Sequence, residues 1–343
     1  MGTDRAIDEG RGVVTEAEVT GPVTGPVTTP GGAELARADG LNLVREFVRV
    51  SKAASTVRGY QSDWKHFTAW CGAHQVSQLP AAPEDVAAYI AECSAWLTAG
   101  SIQRRLNAIA EAHKATGRES PTSAGIVRNT FKGIRRSLGT APTNQKSAAI
   151  TEDVRAMVAQ ADAGIMGFRD RALMLVGFAG AFRRSELVGL DMDDLEFGND
   201  GLTIMLRRSK TDQEGVGRKI GILAGTRPET CPVRALRAWL LQSGVKGGPV
   251  FRSLGRHGIV KSRRLPSREV ATTVKKLAKR IGLDPAKYAR HSLRSGHATS
   301  AAIGGASERQ IMNQTGHTSV EMVRRYIRDT NIFRGNSSGS LDL

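Results

Sequence analysis

The apolar residues of this chain recur every three or four positions through much of its length, which is the spacing of amphipathic helices. Over residues 41–138 the pattern predicts five successive helices, and residues suited to cap helix N-termini stand at Ser55-Thr56 and at Ser101. One of these helices carries an aromatic stripe made of Tyr60, Trp64, Phe67 and Trp70. We therefore expect residues 41–138 to form an all-helical domain.

A polar segment that contains glycine and proline predicts a linker over residues 139–150. Beyond it, two stretches alternate between apolar and polar residues, Leu202–Leu206 and Lys219–Leu223, and predict a β-hairpin. The other predicted elements are a helix capped at Thr151, a buried helix within Ala172–Phe182, helices over Pro232–Leu241 and Ser267–Ile281, and a strand over Pro249–Phe251. Residues 151–331 should thus form an α+β domain with a small antiparallel sheet, in a mainly α, two-domain chain.

The two ends of the chain differ from these domains in composition. Residues 1–40 contain the repeat VTGPVTGPVTTPGG, which offers too little apolar surface to offset the conformational entropy lost on folding. We predict a disordered tail over residues 1–40 and a second tail over residues 332–343.

The segment from His291 to Tyr326 contains several residues that could act together on a phosphate. Its pattern predicts a helix, a turn at Gly304-Gly305, a second helix, a turn at Gly316 and a third helix. His291 and Arg294 are three residues apart, so they project from one face of a helix. Taken singly, each of these residues is better explained by a structural role, and only the ordered set indicates a site.

The charge of the chain indicates a polyanionic partner. The net charge is +16, and because residues 1–40 carry seven acids and three bases, residues 41–343 hold +20. Nucleic acid is the leading candidate, although a basic protein without such a partner remains possible. The basic residues fall on successive predicted helices: Arg58 and Lys65, Arg104 and Arg105, Arg128, Lys132, Arg135 and Arg136, and Arg268 on the helix from Ser267.

Several classes of function lack their motifs in this chain. The sequence contains no GK dipeptide of a P-loop and no HExxH, and no glycine-rich dinucleotide turn follows a clear strand. The three cysteines show no CxxC spacing, and the aspartates between Asp191 and Asp200 lack the glycine and glutamate of a calcium loop. No apolar run reaches the ~20 residues of a membrane span. We therefore expect a cytoplasmic protein without a bound metal.

The order of polar residues in the second domain resembles that of the tyrosine recombinase family, which includes phage integrases and the Cre and Xer proteins. The resemblance rests on Arg183-x-x-Glu186, Lys210 in the hairpin, His291-x-x-Arg294, Gly316-His317 and Tyr326. It extends over residues 41–331, because STVRGYQSDWKHFTAWC is similar to the first long helix of the family's core-binding domain. Arg184 follows Arg183 where the family usually has an apolar residue, and only Arg183 has a glutamate three positions on.

The resemblance implies a role for each of these residues. Tyr326 would attack the scissile phosphate and form a 3′-phosphotyrosyl bond, while Arg183 and Arg294 would bind the nonbridging oxygens. His291 would assist as acid or base, Lys210 would protonate the leaving 5′-oxygen, and His317 would donate to the phosphate. Glu186 would orient its neighbours, or it would only pair with an arginine at a helix end. The reaction would need no metal, ATP or other cofactor.

The resemblance also implies the partners and the assembly. The two domains would clamp double-stranded DNA recombination sites, and a homo-tetramer would exchange strands through a Holliday junction at the bacterial nucleoid. Ile332 and Phe333 would anchor the C-terminal tail on a neighbouring subunit, or the tail would simply fray. A type IB topoisomerase, a telomere resolvase, a catalytically silent DNA-binding or architectural protein of the same fold, and a structural helical protein with a basic surface remain alternatives.

Overall fold

A computed structural model describes residues 52–139, 146–207, 216–289, 291–328 and 341. The chain divides into two compact units, residues 1–140 and 141–343. Helices dominate the described parts of both units, and the strands found there belong to the second unit, which confirms the predicted fold class. Several predictions lie outside the described residues: those for the tail over residues 1–40, for the first of the five helices predicted from residue 41, for much of the linker, for Lys210, and for Ile332 and Phe333.

The described part of the first unit is helical. Its core is aromatic: the rings of Phe67 and Tyr89 are fully buried and meet edge to face with centroids 5.0 Å apart. Trp64 and Trp70 are partly buried and pack against the same core, so three of the four residues of the predicted aromatic stripe face the core. The helices are α1 (Ala54–His74), α2 (Pro83–Cys93), α3 (Ala99–Ala115) and α4 (Gly125–Leu138).

The predicted helix caps were misplaced by one to three residues. Helix α1 begins at Ala54 without a side-chain cap, so Ser55 and Thr56 lie inside its first turn. Helix α3 is capped by Thr98, whose Oγ1 accepts a hydrogen bond from the main-chain N–H of Ser101 at 3.3 Å. In both helices the hydroxyl residue nearest to the apolar stripe already has helical geometry, and the cap is the residue before the first turn.

The second unit combines helices with two small antiparallel sheets. Strands β1 (Leu195–Phe197), β2 (Gly201–Leu206) and β3 (Arg218–Leu223) form one sheet in that order, which confirms the predicted hairpin. Strands β4 (Arg252–Leu254) and β5 (Val260–Arg264) form the other. The strand predicted over Pro249–Phe251 was wrong, because the ladder starts at Arg252 and Pro249 makes only an isolated bridge to Asp191.

Several helices of the second unit pack against α6 (Gly164–Ala179), the predicted buried helix, whose Leu173, Met174 and Val176 are fully buried. Trp239 packs into the same region and donates its indole N–H to the carbonyl of Val250 at 2.8 Å. The other helices are α5 (Thr151–Ala159), α7 (Arg184–Gly189), α8 (Pro232–Ser243), α9 (Ser267–Arg280), α10 (Ser292–Ile303), α11 (Glu308–Thr315) and α12 (Val320–Arg328). In α5, Thr151 is the first helical residue, and it follows the N-cap Ile150 instead of serving as the cap.

Two features of the chain place the site. Between α6 and α7 the backbone bends through Gly180 and Ala181, and a side chain at Gly180 would lie 2.1 Å from the Phe182 ring. Helices α10, α11 and α12 pack around a small apolar cluster, which confirms the predicted order of helix, turn, helix, turn and helix. Among the described residues no helix is both long and apolar enough to cross a membrane.

Candidate active site

Arg183 and Glu186 are paired at the start of α7. Arg183 occupies the N-cap, where its main-chain N–H donates to Oε2 of Glu186 at 2.8 Å and its Nη1 donates to Oε1 at 2.6 Å. Glu186 is buried, and the side chain of Arg183 is 15% exposed. The ion pair at a helix end, which the sequence analysis kept as an alternative role for Glu186, is therefore present. It holds the guanidinium of Arg183 beside the bend that precedes α7.

Arg294 is buried in α10 and joins that helix to the bend. Its Nη1 donates to the carbonyl of Ala181 at 2.7 Å, whereas its Nη2 is buried and makes no hydrogen bond to any residue that the structure describes. Burial and the charge of Arg183 lower the pKa of Arg294 to about 10, so it stays cationic at neutral pH. A buried guanidinium nitrogen without a partner suits the oxygen of an anionic ligand.

Arg218 and Gln314 fix the end of α11 against the bend and the sheet, and no sequence motif points to either residue. Arg218 donates from Nη1 to the carbonyl of Asn313 at 2.9 Å and from Nη2 to that of Gln314 at 3.2 Å. The amide of Gln314 donates in turn to the carbonyls of Ala179 at 2.9 Å and Gly221 at 3.0 Å. A cation at the carbonyl end of a helix is stabilised by the helix dipole.

His317 follows directly on this fixed helix end. Gly316 takes the left-handed conformation with φ of 64°, and a side chain there would lie 3.0 Å from the guanidinium carbon of Arg218. The imidazole of His317 is buried, and its Nδ1 lies 2.9 Å from Oγ1 of Thr315. The backbone that carries the His317 ring is therefore held in position by its close contact with Arg218.

Tyr326 lies beside His317 on α12. The two rings stack with centroids 6.0 Å apart and an interplanar angle of 21°. Tyr326 is half-buried and packs against the apolar cluster that Ile311 and Val323 share with α10. The predicted nucleophile thus stands next to the predicted phosphate ligands.

The charges of these residues act on one another. Burial, followed by the charges of Arg294, Arg183 and Arg218, lowers the pKa of His317 to about 4, so the imidazole is neutral at physiological pH. Burial and the charge of Arg183 likewise lower the pKa of Arg218, while Glu186 opposes that shift. Arg183, Arg218 and Arg294 thus form a cationic cluster with Glu186 as the carboxylate that acts on it, and such a cluster favours the binding of an anion.

Three other predicted or competing residues have different positions. His291 is the N-cap of α10, one turn before Arg294, and its side chain is exposed. Tyr288, the second tyrosine near this segment, is buried and donates to Oδ2 of Asp153 at 3.3 Å. Burial, reinforced by Asp153, raises the pKa of Tyr288 to about 12, which makes it a poorer nucleophile than an ordinary tyrosine. Lys210 lies outside the described residues.

Most of the side chains predicted to contact DNA are on the surface. Arg104 donates two hydrogen bonds to the buried Asp63, at 2.6 and 3.0 Å, yet its side chain remains 56% exposed. The exposed members of the predicted set are Arg58, Arg104, Lys132, Arg135 and Arg268. Their contact with DNA stays a prediction.

The prediction that Arg105 lies on a basic surface was wrong. Arg105 points into the first unit, where its Nη1 donates to the hydroxyl of Tyr89 at 2.7 Å and lies 2.8 Å from Nδ1 of His66. Successive residues of a helix are turned by about 100°, so Arg104 and Arg105 face different surroundings. Arg105 is a buried hydrogen-bond donor of the helical core.

The described residues contain no group of three or more His, Cys, Asp or Glu side chains that could hold a metal ion. The cationic groups of the candidate site are instead guanidinium side chains, a type of group that binds phosphate through charge-assisted hydrogen bonds.

Comparison with known proteins covers both units. A model of the phage integrase family matches residues 150–331, and a model of the phage integrase N-terminal SAM-like domain matches residues 45–119. The integrase/recombinase xerD homolog of Selenomonas ruminantium is 41% identical over 291 residues, which cover 84% of this chain and 85% of that protein. The recombinase cre of Escherichia phage P1 is 24% identical over 285 residues, 77% of this chain and 81% of that protein.

Solved structures show the same fold. The integrase of the Tn1549 transposon, in complex with transposon right end DNA, superposes with a TM-score of 0.59 at 14% identity and covers 87% of this chain and 96% of its own. The XerH site-specific recombinase, bound to a palindromic difH substrate in a post-cleavage complex, gives a TM-score of 0.55 at 17% identity, over 76% of this chain and 72% of its own. Because the family model spans the whole candidate site and the Selenomonas relative is similar over both units, the chain belongs to the phage integrase family of tyrosine recombinases.

Proposed function

We propose that this chain is a site-specific DNA recombinase that breaks and rejoins strands through a covalent bond between DNA and Tyr326. The observation that carries the proposal is the buried Nη2 of Arg294, which has no partner among the described residues. Arg183 and Arg218 are the other cations of the same cluster, and the Tyr326 ring stacks on His317, whose ring the three arginines influence. A phosphodiester supplies an oxygen that can accept from this nitrogen.

The chemistry follows from the groups present. The phenol oxygen of Tyr326 attacks the phosphorus, the bond to the 5′-oxygen breaks, and the 5′-hydroxyl leaves with a proton. Arg183 and Arg294 stabilise the charge that grows on the nonbridging oxygens of the pentacoordinate transition state. Glu186 keeps Arg183 in place. We further propose that His291 transfers a proton to or from Tyr326 and that Lys210 donates a proton to the 5′-oxygen.

The covalent intermediate accounts for strand exchange. A phosphotyrosyl bond keeps the free energy of the phosphodiester, so a 5′-hydroxyl from another duplex can reverse the reaction without ATP. The basic surface of α4 and the candidate site would both contact the duplex, and four copies on paired sites would exchange strands through a Holliday junction. We place this reaction in the cytoplasm at the nucleoid.

Covalent trapping tests the proposal. The full chain would be mixed with nicked duplexes from the DNA that flanks its own gene, and the products separated on a denaturing gel. We expect an adduct that forms with the parent protein and with Tyr288→Phe, the matched control, and is lost in Tyr326→Phe. An adduct that persists in Tyr326→Phe would show that Tyr326 is not the nucleophile.

Salt-dependent binding separates the proposal from its main alternative. If the parent protein binds the duplexes with an affinity that falls steeply with salt, yet forms no adduct on any of them, the chain is a catalytically silent DNA-binding protein. Binding that does not depend on salt would contradict both functions.

A further inference from the structure

We infer that Thr315 is a positioning residue for strand cleavage, because its hydroxyl holds the neutral imidazole of His317 with the proton on Nδ1 and the lone pair on Nε2. The inference concerns the same site as the proposed function and rests on it for the kinetic consequence. Its structural half can be tested without DNA.

The hydroxyl of Thr315 has two neighbours and only one proton to give. Its Oγ1 lies 2.6 Å from the carbonyl oxygen of Ile311 and 2.9 Å from Nδ1 of His317. A carbonyl oxygen can only accept, and two oxygens this close need a proton between them, so the hydroxyl donates to Ile311. Toward His317 it can then only accept, which requires a proton on Nδ1.

The surroundings of Thr315 keep this arrangement in place. Its side chain is fully buried at the last residue of α11, and the carbonyls of the two preceding residues are held by Arg218. Water cannot readily replace the hydroxyl as the acceptor of the Nδ1–H. A neutral ring with its proton on Nδ1 has none on Nε2, so that nitrogen is an acceptor.

This tautomer changes what His317 can do for a phosphate. The family resemblance implies that His317 donates to a phosphate oxygen, and from Nε2 it can do so only after it takes up a proton to become imidazolium. Three positive charges lower the pKa of the His317 ring: Arg294 from α10, Arg183 from the bend and Arg218 from β3. The Tyr326 ring stacks on it from α12. Glu186 is the carboxylate that acts on both Arg218 and Arg294.

A bound phosphodiester offsets the three positive charges and so favours that proton uptake. The proton comes from solvent, and the reaction adds H⁺ to Nε2 without any other bond change. The donor form of His317 is therefore lost as the pH rises through the pKa of His317 in the DNA complex. Above that pKa the cleavage rate of the parent protein should fall by up to about tenfold per pH unit.

The first test is the tautomer of the protein alone. The full chain would be labelled with ¹⁵N-histidine, and the His317 signals assigned by their loss in His317→Asn. We expect a protonated nitrogen at Nδ1 and an unprotonated one at Nε2 at pH 7.5, both in the parent protein and in Thr315→Ser. A protonated Nε2 in the parent protein would overturn the inference.

The second test is the pH dependence of adduct formation on nicked duplexes. In Thr315→Val the neutral ring of His317 can carry its proton on Nε2, so the rate of adduct formation should fall less steeply at high pH. Thr315→Ser should keep the steep fall in this rate. Thr318→Val, at an exposed threonine in the next turn, is the matched control and should behave as the parent. The same profile in the valine, serine and parent proteins would overturn the positioning role.

The two tests separate this inference from the proposed function. If Thr315→Val fails to fold, the tautomer of the parent and of Thr315→Ser still decides the structural half. If the parent forms no adduct with any duplex, the proposed function fails, while the NMR result stands on its own.

Discussion

The guanidinium of Arg294 donates a hydrogen bond of 2.7 Å to the main-chain carbonyl of Ala181, a residue 113 positions earlier in the chain. Ala181 is a non-glycine residue with positive φ, at 49°, two residues before Arg183. The bend therefore brings one predicted phosphate ligand next to the other. A left-handed alanine costs about 1–2 kcal/mol, which the surrounding contacts offset.

The bend predicts how substitutions of Ala181 act on stability. Ala181→Val should lower the free energy of unfolding by about 3 kcal/mol, because a β-branched side chain fits neither the positive φ nor the fully buried site. Ala181→Gly should stay within about 1 kcal/mol of the parent, because relief of strain is offset by the greater entropy of the unfolded chain. Denaturant unfolding followed by circular dichroism measures both, and equal stability of the valine protein would contradict the bend geometry.

Glu186 should matter for stability as well as for activity. Glu186→Gln removes a carboxylate acceptor from Arg183 and takes away the negative charge that acts on Arg218 and Arg294. Since breaking a buried ion pair costs about 3–5 kcal/mol, we expect a loss of at least 3 kcal/mol in unfolding free energy. Glu196→Gln, at an exposed position of β1, is the matched control, and a comparable loss in that variant would show that the effect is not specific to the ion pair of Arg183 and Glu186.

His317 should make the stability of the protein depend on pH. Its pKa falls from an ordinary 6.5 to about 4 in the folded protein, so between these values the unfolded chain binds a proton that the folded one does not. Stability attributable to this group is therefore complete above pH 6.5 and declines as the pH falls toward 4, by about 3 kcal/mol in all.

The variant that isolates this effect is His317→Asn, whose amide nitrogen can still donate to Thr315 but does not titrate. Unfolding free energies of the parent and the variant would be compared from pH 7 to pH 4. The unfolding free energy of the parent relative to that of His317→Asn should decrease as the pH falls toward 4. A difference that stays constant with pH would contradict the low pKa of His317.

The basic residues of the first unit should separate into two classes. Lys132 and Arg135 are exposed on α4, so their replacement by alanine should weaken DNA binding and reduce its dependence on salt by about 0.9 in log–log slope per lost phosphate contact. Arg105→Met should instead lower the melting temperature, because it removes the buried donor to Tyr89. Fluorescence anisotropy of a labelled duplex across salt concentrations, with thermal melts of each variant, distinguishes the classes.

Either class could turn out differently. A loss of folding stability on replacing Lys132 and Arg135 would show that their helix needs them for packing. A salt-dependent loss of DNA binding in Arg105→Met, at unchanged stability, would contradict the buried position of Arg105.

Local chemistry in the sequence was enough for the helices, the hairpin and the glycine turns. Apolar spacing of three and four residues, alternation on both sides of the hairpin loop, and Gly316 before His317 each follow from neighbours along the chain. The set of Arg183, Arg294, His317 and Tyr326 was selected because their order along the chain resembles that of the tyrosine recombinase family. Cap residues were placed wrongly because one turn of helix offers several hydroxyl groups at similar positions.

Contacts between distant parts of the chain were decided only by the tertiary structure. Arg104 and Arg105 are identical neighbours in the sequence, and only the direction of the helix toward the core separates a surface arginine from a buried one. The parts played by Arg218 and Gln314 depend on carbonyl oxygens that lie 93 to 135 residues away, which no periodicity encodes. Thr315 is local to His317, yet its role as an acceptor follows from distances and burial, because a hydroxyl can donate or accept until its neighbours are fixed.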